Sequence, residues 1–243
     1  MEDARIAELL TPFLGASPRS RGQEGGARPA VLSPGQLHSI SIYIDLLRRW
    51  NTRINLTAVR QSEEIVTRHF GESIFAARHL FADVQDGTVP DGSKPWSMVP
   101  ESHVIDVGSG PGFPGLPIKI WAPQVRLTLI ESNQKKATFL REVIRSLRLT
   151  GAEVFTGRAE AFKGSKGEVV TLRAVEHFES ILPVAAGLVG PSGCLALLVG
   201  DAQLEGVREA LPSFHWSNPV KLPLSVNRVL TIGSKEPQSL TAF

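Results

Sequence analysis

A single cysteine, Cys194, stands among 243 residues. It excludes an internal disulfide, and inside the apolar run Cys194-Leu195-Ala196-Leu197-Leu198-Val199 it reads as core in a reducing compartment. No apolar run approaches the ~20 residues that span a bilayer. The opening Met1-Glu2-Asp3-Ala4-Arg5 lacks the basic and apolar regions of a secretory signal, so a cytoplasmic location is expected. Charge of one sign is also missing: 26 Lys and Arg against 24 Asp and Glu leave a net +2. No overall field then demands a nucleic-acid partner, and any basic footprint has to be local. His69 has no second metal-type residue at i+4, so a core or interface histidine is expected there and no metal site. The chain is long enough to bury a full core as one large domain with a small appendage.

What is present is organised around Val104-Ile105-Asp106-Val107-Gly108-Ser109-Gly110-Pro111-Gly112-Phe113-Pro114-Gly115. An apolar run ends in an acid, a glycine-rich turn follows, and Pro114 is expected in the first turn of a helix, where its missing N–H costs nothing. Such a unit brings backbone close to a ligand at the carboxyl edge of a parallel sheet. Gly110-x-Gly112-x-x-Gly115 fits a dinucleotide turn with pyrophosphate on the helix N-terminus. Acid-x-Gly-x-Gly-x-Gly, counted from Asp106, fits a nucleoside with an amino-acid tail such as S-adenosylmethionine. The second reading gives Asp106 a task, reaching a cofactor ammonium directly or through water, where a pyrophosphate would be repelled. Both readings use Glu131, which ends the next apolar run and suits ribose hydroxyls.

Upstream, residues 2 to 14 pattern as a short helix, and residues 15 to 34 are Gly-, Pro-, Ser- and Arg-rich and are expected to be flexible. A second helix is expected from Gly35 to Trp50 and a third from Ser62 to Leu80, with a polar turn at 51–58 between them. Residues 83 to 100 read as a loop. From 103 the alternation is βα, with strands near 103–107, 125–131, 153–157, 168–172 and 194–199. Helices fall near 114–121, 133–148, 175–188 and 201–210. Pro191-Ser192-Gly193 reads as a turn into the fifth strand. Two late β-like runs, 214–221 and 227–233, suggest a hairpin at or near the sheet edge. The expected organisation is an N-terminal helix and Gly/Pro/Arg segment (1–34), a helical extension (35–100) and a doubly wound, mostly parallel α/β domain (101–243).

Several blocks together resemble the small-subunit ribosomal RNA methyltransferase G family, also called glucose-inhibited division protein B. They are Trp50-Asn51 with Asn55-Leu56-Thr57-Ala58, the glycine turn with Phe113-Pro114-Gly115, Glu131-Ser132-Asn133-x-Lys135-Lys136 followed by Phe139-Leu140, and Arg173-Ala174-Val175. They span roughly residues 36 to 233 in the family's order. The resemblance implies a class I, Rossmann-like S-adenosylmethionine-dependent enzyme that methylates guanine N7 in 16S rRNA of the small ribosomal subunit. It implies cofactor contacts at Gly108, Phe113, Ala159, Glu160 and Arg173, to which the strand-end reading adds Asp106, Gly110 and Glu131. Glu160 is positioned to accept from an adenine amino group. An arginine ending an apolar strand, as Arg173 does, must find an acid, a carboxylate tail or a phosphate.

Guanine N7 carries no proton, so no obligatory general base is expected. RNA contact is expected from Lys135, Lys136, Arg141 and Arg145 on the 133–148 helix, and from Arg48, Arg49 and Arg53 near the N-terminal turn. A monomer is expected. The sequence departs from the family at Val199-Gly200, where Lys-Gly is usual, and at Glu168, where an Asp usually opens the fourth strand. A nicotinamide-dependent oxidoreductase, a non-catalytic ribosome- or RNA-binding module on the same fold, and a small-molecule or protein methyltransferase are the rival readings.

Overall fold

The computed structural model describes residues 1–15, 30–81, 101–173 and 178–235. The expected loop 83–100, most of the expected flexible segment 15–34, and Ala174-Val175 lie outside them. α1 (Asp3–Leu10) continues into a 3-10 turn (Thr11–Phe13). α2 (Pro34–Asn51) begins at Ser33, whose hydroxyl accepts from the Gln36 amide while the Gln36 side chain accepts from the Ser33 amide. That capping box is worth about 1 kcal/mol. α3 (Ser62–Glu64) runs through a π-helical stretch (Ile65–Gly71) into α4 (Glu72–Leu80).

β1 (His103–Val107), β2 (Arg126–Glu131), β3 (Ala152–Thr156), β4 (Gly167–Arg173) and β5 (Val189–Gly200) pair in parallel, in the order β3-β2-β1-β4-β5. They alternate with α5 (Gly115–Trp121), α6 (Gln134–Ser146) and α7 (Phe178–Leu188), and α8 (Leu204–Ala210) follows β5. β6 (His215–Trp216) and β7 (Val220–Lys221) both pair with β8 (Arg228–Ser234), which lies antiparallel against β5.

Successive strand residues point to opposite faces and so enter separate cores. Val104, Leu129 and Val169 pack toward α1, α2, α4, α5 and α6, while Ile105, Ile130 and Val170 pack toward α7 and α8. Apolar side chains on both faces make these strands continuous hydrophobic runs, as a covered parallel sheet requires. The N-terminal helices therefore share one core with the sheet: Tyr43, Phe70 and Phe139 are fully buried in it.

Three expectations need correction. Pro114 is the residue before α5 and not in its first turn, so the helix begins at Gly115. Pro191-Ser192-Gly193 belongs to an irregular start of β5, where the register against β4 shifts between Gly167 and Val169. A Cβ on Gly193 would stand 2.8 Å from the Glu168 and Gly167 carbonyl oxygens, a close approach of backbones that leaves no room for a side chain at this irregularity. The 201–210 helix opens with a 3-10 turn (Asp201–Gln203).

Gly71 marks a close contact between the N-terminal helices. A Cβ there would meet the buried Phe13 ring at 2.5–2.7 Å. Gly71→Ala is expected to destabilise the chain by about 1–3 kcal/mol through overpacking. Thermal unfolding should show that loss, and Phe13→Leu in the same chain should recover part of it.

Candidate functional site

The carboxyl ends of β1, β2 and β4 converge on the glycine turn. Gly108, Gly110 and Gly112 hold φ of 65°, 55° and 95°, a region that L side chains seldom enter. A Cβ on Gly110 would find nothing nearer than the Gly108 carbonyl oxygen at 3.9 Å, so this part of the turn faces open space. Gly112 faces inward, where a Cβ would strike the Tyr43 hydroxyl and Leu116.

Glu131 closes the turn from β2. Its Oε2 accepts from the Gly110 amide at 2.8 Å and its Oε1 from the Asn133 amide at 2.7 Å. Each oxygen keeps a lone pair for a further donor. Asn133 in turn caps α6, accepting from the Lys135 and Lys136 amides.

Asp106 lies inside the turn. Its Oδ1 accepts from the Thr171 hydroxyl at 2.7 Å and its Oδ2 from the Gly115 amide at 3.2 Å. The carboxyl has no exposed surface, and burial pushes it up to about 6, against the hydrogen bonds from Thr171, Ser109 and Gly115 and the charge of Arg173. It joins β1, β4 and the start of α5, and any reach toward a cofactor has to pass beyond these partners.

Phe113 packs against three rings. Tyr43 stacks with centroids 5.4 Å apart and an interplanar angle of 4°, and His69 stacks at 4.8 Å and 24°. Phe70 meets the ring edge-on at 5.2 Å. Tyr43 also donates to the Pro111 carbonyl. The glycine turn is thus gripped by the N-terminal helices, at about 0.5–1.5 kcal/mol per ring pair beyond burial.

Arg173 finds its acid in Glu72, the first residue of α4, at 3.0 Å. Its Nη2 also donates to the Arg68 carbonyl at 2.7 Å and to His69 Nδ1 at 3.2 Å. Burial brings the guanidinium down to about 10, which leaves it charged at neutral pH. Arg228, at the start of β8, is also 3.0 Å from Glu72 Oε2, so one buried carboxylate serves two arginines. Burial raises Glu72, and the arginines oppose that rise. Because His69 Nδ1 accepts from Arg173, Nε2 carries the proton and donates to Thr57 Oγ1 at 2.9 Å. Burial and the neighbouring arginines bring His69 to about 3. Thr57 belongs to the 51–58 turn, which Asn51 holds by accepting from the Leu56 and Thr57 amides and donating to the Thr57 carbonyl.

Ala159 is buried and Glu160 exposed in a 3-10 turn (Ala159–Ala161) after β3. Arg48, Arg49 and Arg53 are exposed at the end of α2, and Trp50 beside them packs edge-on against Phe139 of α6 at 5.7 Å. The two basic patches therefore lie on packed helices. Lys135 and Arg145 are exposed and Lys136 is half-buried. Arg141 ties down β3 through the Val154 carbonyl and Thr156 hydroxyl, and Arg145 pairs with Glu142 at 2.7 Å.

Glu72, Arg228, Tyr43 and Thr171 are absent from the sequence-based site. Glu72 carries a signal all the same, since an acid at Ile65, His69, Glu72 spacing lies on the apolar stripe of its helix.

Strand order 3-2-1-4-5 followed by an antiparallel strand is the architecture of class I S-adenosylmethionine-dependent methyltransferases, and the glycine turn and Glu131 stand at the carboxyl edge of that sheet. The family is narrower than the class. The sequence profile described as rRNA small subunit methyltransferase G matches residues 36–227, and the chain belongs to that family. Ribosomal RNA small subunit methyltransferase G of Stenotrophomonas maltophilia strain K279a is 37% identical over 222 residues, covering 91% of this chain and 93% of the relative. The protein of the same name from Xanthomonas euvesicatoria is 37% identical over 227 residues, 93% of each.

Among solved structures, MtNAS in complex with MTA and tNA superposes with a TM-score of 0.56 at 16% identity, covering 84% of this chain and 70% of that one. The ribosomal protein L11 methylase of Lactobacillus delbrueckii subsp. bulgaricus gives 0.51 at 14%, covering 68% and 80%. These two establish the fold. Among the described residues, no helix is long and apolar enough to cross a membrane.

Asp106 supplies a pH test. A carboxyl raised by folding contributes stability that is complete below its unfolded value of 3.8 and is lost as pH rises through about 6. In Asp106→Asn, Thr171 can turn to accept from the new amide, and this pH term vanishes. Unfolding free energies of wild type relative to the variant should fall by roughly 2–3 kcal/mol between pH 3.5 and 7. Parallel profiles would refute the assignment.

Proposed function

We propose that the chain methylates guanine N7 in 16S rRNA of the small ribosomal subunit, acting as a monomer in the cytoplasm. The observation that carries the reading is the open glycine turn closed by Glu131, in a chain that is 37% identical to named rRNA methyltransferases over nearly its whole length. Gly108 and Gly110 let backbone approach the cofactor, and the free lone pairs of Glu131 suit ribose hydroxyls. Ala159 and Glu160 border the adenine end, with Glu160 as acceptor for its amino group. Arg173 fixes the β4 end, and Asp106 holds the turn from inside. Phe113, stacked on Tyr43 and His69, borders the cofactor at the end of the turn. S-adenosylmethionine supplies an electrophilic methyl on a sulfonium.

The acceptor sets the mechanism. Guanine N7 presents a lone pair and no proton, so the protein has only to align the attack. Alignment of two reactants is worth up to about 7–11 kcal/mol. The local titratable groups fit: His69 is held neutral with both nitrogens engaged, and Glu72 and Asp106 are buried in bonds of their own. Arg48, Arg49, Arg53, Lys135, Lys136, Arg141 and Arg145 line the adjoining helices, where phosphate contacts would position the RNA without reading its sequence.

Labelled methyl from S-adenosylmethionine should pass to small subunits lacking the modification, and N7-specific cleavage should then cut the RNA at one guanine. Label without cleavage would move the acceptor to another atom. Charge reversal of Lys135 and Lys136 together is expected to weaken RNA binding and flatten its logarithmic salt slope by roughly 1.5. An unchanged slope would remove these lysines from the interface.

A further inference from the structure

Among the described residues only four large apolar side chains are exposed, and three of them, Val220, Leu224 and Val226, fall within one short stretch. Val226 is 91% exposed and Leu224 72%. Both lie in the connection between β7 and β8, while Leu222 beside them is buried and anchors it.

This connection is built, not slack. The Leu222 amide donates to the Arg228 carbonyl, Ser225 to the Leu222 carbonyl, and the Arg228 amide to the Ser225 hydroxyl. Leu224 holds φ of 58°, a left-handed conformation that is costly for a branched side chain. Such strain persists only where the surroundings impose it. The cost is spent on presenting an apolar side chain to solvent.

Its place in the fold says what it faces. Arg228 pairs in register with Gly200 at the carboxyl end of β5, and the Asp201 amide donates to the Asn227 carbonyl. Arg228 also shares Glu72 with Arg173 of β4. The tip therefore extends the carboxyl edge of the sheet on the side opposite β2 and Glu131. Lys221 stands exposed on one side, while Arg228 on the other is half-buried against Glu72. Exposed apolar side chains beside a cation, at the carboxyl edge of the sheet in a chain of an rRNA methyltransferase family, match a polyanion whose bases are unstacked, since aliphatic wedges insert at base steps while the cation meets a phosphate. A base taken out of its stack for chemistry leaves such a step beside it.

We infer that the β7–β8 tip is an RNA-contacting wedge, in which Leu224 and Val226 pack against the bases that flank the guanine presented for methylation. The inference rests on the activity proposed above. It names an aliphatic contact to RNA in addition to the basic patches of α2 and α6.

The test uses the full chain with Leu224→Asn and Val226→Ser combined; asparagine tolerates the left-handed backbone, so folding is spared. Small subunits lacking the modification serve as ligand in a binding assay and as substrate in methyl transfer. Subunit Kd and KM are expected to rise about tenfold. Affinity for S-adenosylhomocysteine should stay unchanged, and the melting temperature should not fall. The logarithmic salt dependence should shift in parallel without flattening, which separates this contact from loss of a phosphate cation. Val226→Phe, offering a larger surface to a base, should bind at least as tightly as wild type. Unchanged subunit Kd in the double variant would overturn the wedge, as would self-association of the wild type that the double variant abolishes while the subunit Kd stays the same. If the wild type binds subunits but transfers no methyl, the proposed activity fails, and the binding comparison still decides the wedge.

Discussion

The stacking of Phe113 on Tyr43 and His69 is the contact on which the site depends. Phe113 follows directly on the glycine turn, whose glycines take backbone conformations with little intrinsic rigidity of their own. The turn acquires a single shape because the rings of α2 and the π-helical stretch close on the residue that ends it. Tyr43 adds a hydrogen bond to Pro111, and the Gly112 position has no room for a side chain beneath that hydroxyl. The N-terminal helices therefore hold the glycine turn although they contribute none of the strands.

Electrostatics reinforces the same junction. Glu72 sits where three arginines approach, and without it Arg173 and Arg228 would leave two poorly solvated cations beside each other. A buried pair gives little net stability over an apolar one, but losing one partner is costly, so the arrangement favours one geometry more than it adds energy. It fixes which ends of β4, β8 and α4 meet. The chain of contacts then runs from Asn51 through Thr57 and His69 to Arg173. That explains why the Asn-Leu-Thr-Ala block, remote in sequence from the glycine turn, belongs to the same constellation.

The strands and their order in chain are legible in the sequence because each is an apolar run between turn residues, and those at β1 and β2 carry acids at or near their carboxyl ends. The helices of 35–50 and 62–80 are legible from their periodicity. The partners of the acids are not. Asp106 reads from spacing as a group facing a ligand, and only the packing of β4 against β1 reveals Thr171 as its hydrogen-bond donor. Arg173 demands an acid on physical grounds, yet nothing local to it identifies Glu72, because the pairing is made by tertiary packing across the sheet edge. Pro191-Ser192-Gly193 carries every sign of a turn, and its place in β5 depends on how closely Gly193 approaches the neighbouring strand. The exposed tip at Leu224 and Val226 escapes notice because it falls in the short segment between the two late β-like runs, and spacing alone does not tell which apolar side chains of a connection stay in solvent.

An acceptor without a proton changes what such a site needs. A reaction that requires deprotonation keeps at least one group titrating near the working pH, poised on the substrate. Here the histidine nearest the glycine turn is held far below that range with both ring nitrogens committed, and Glu72 is spent on arginines; Asp106, raised to about 6, has no exposed surface and is bonded to Thr171 and the Gly115 amide, away from any substrate. Chemical capability has been given up for immobility. When barrier lowering comes from alignment, displacement of a reactant by an ångström is costly, and a turn held by ring stacking, a shared ion pair and an internal carboxylate resists that displacement from three directions.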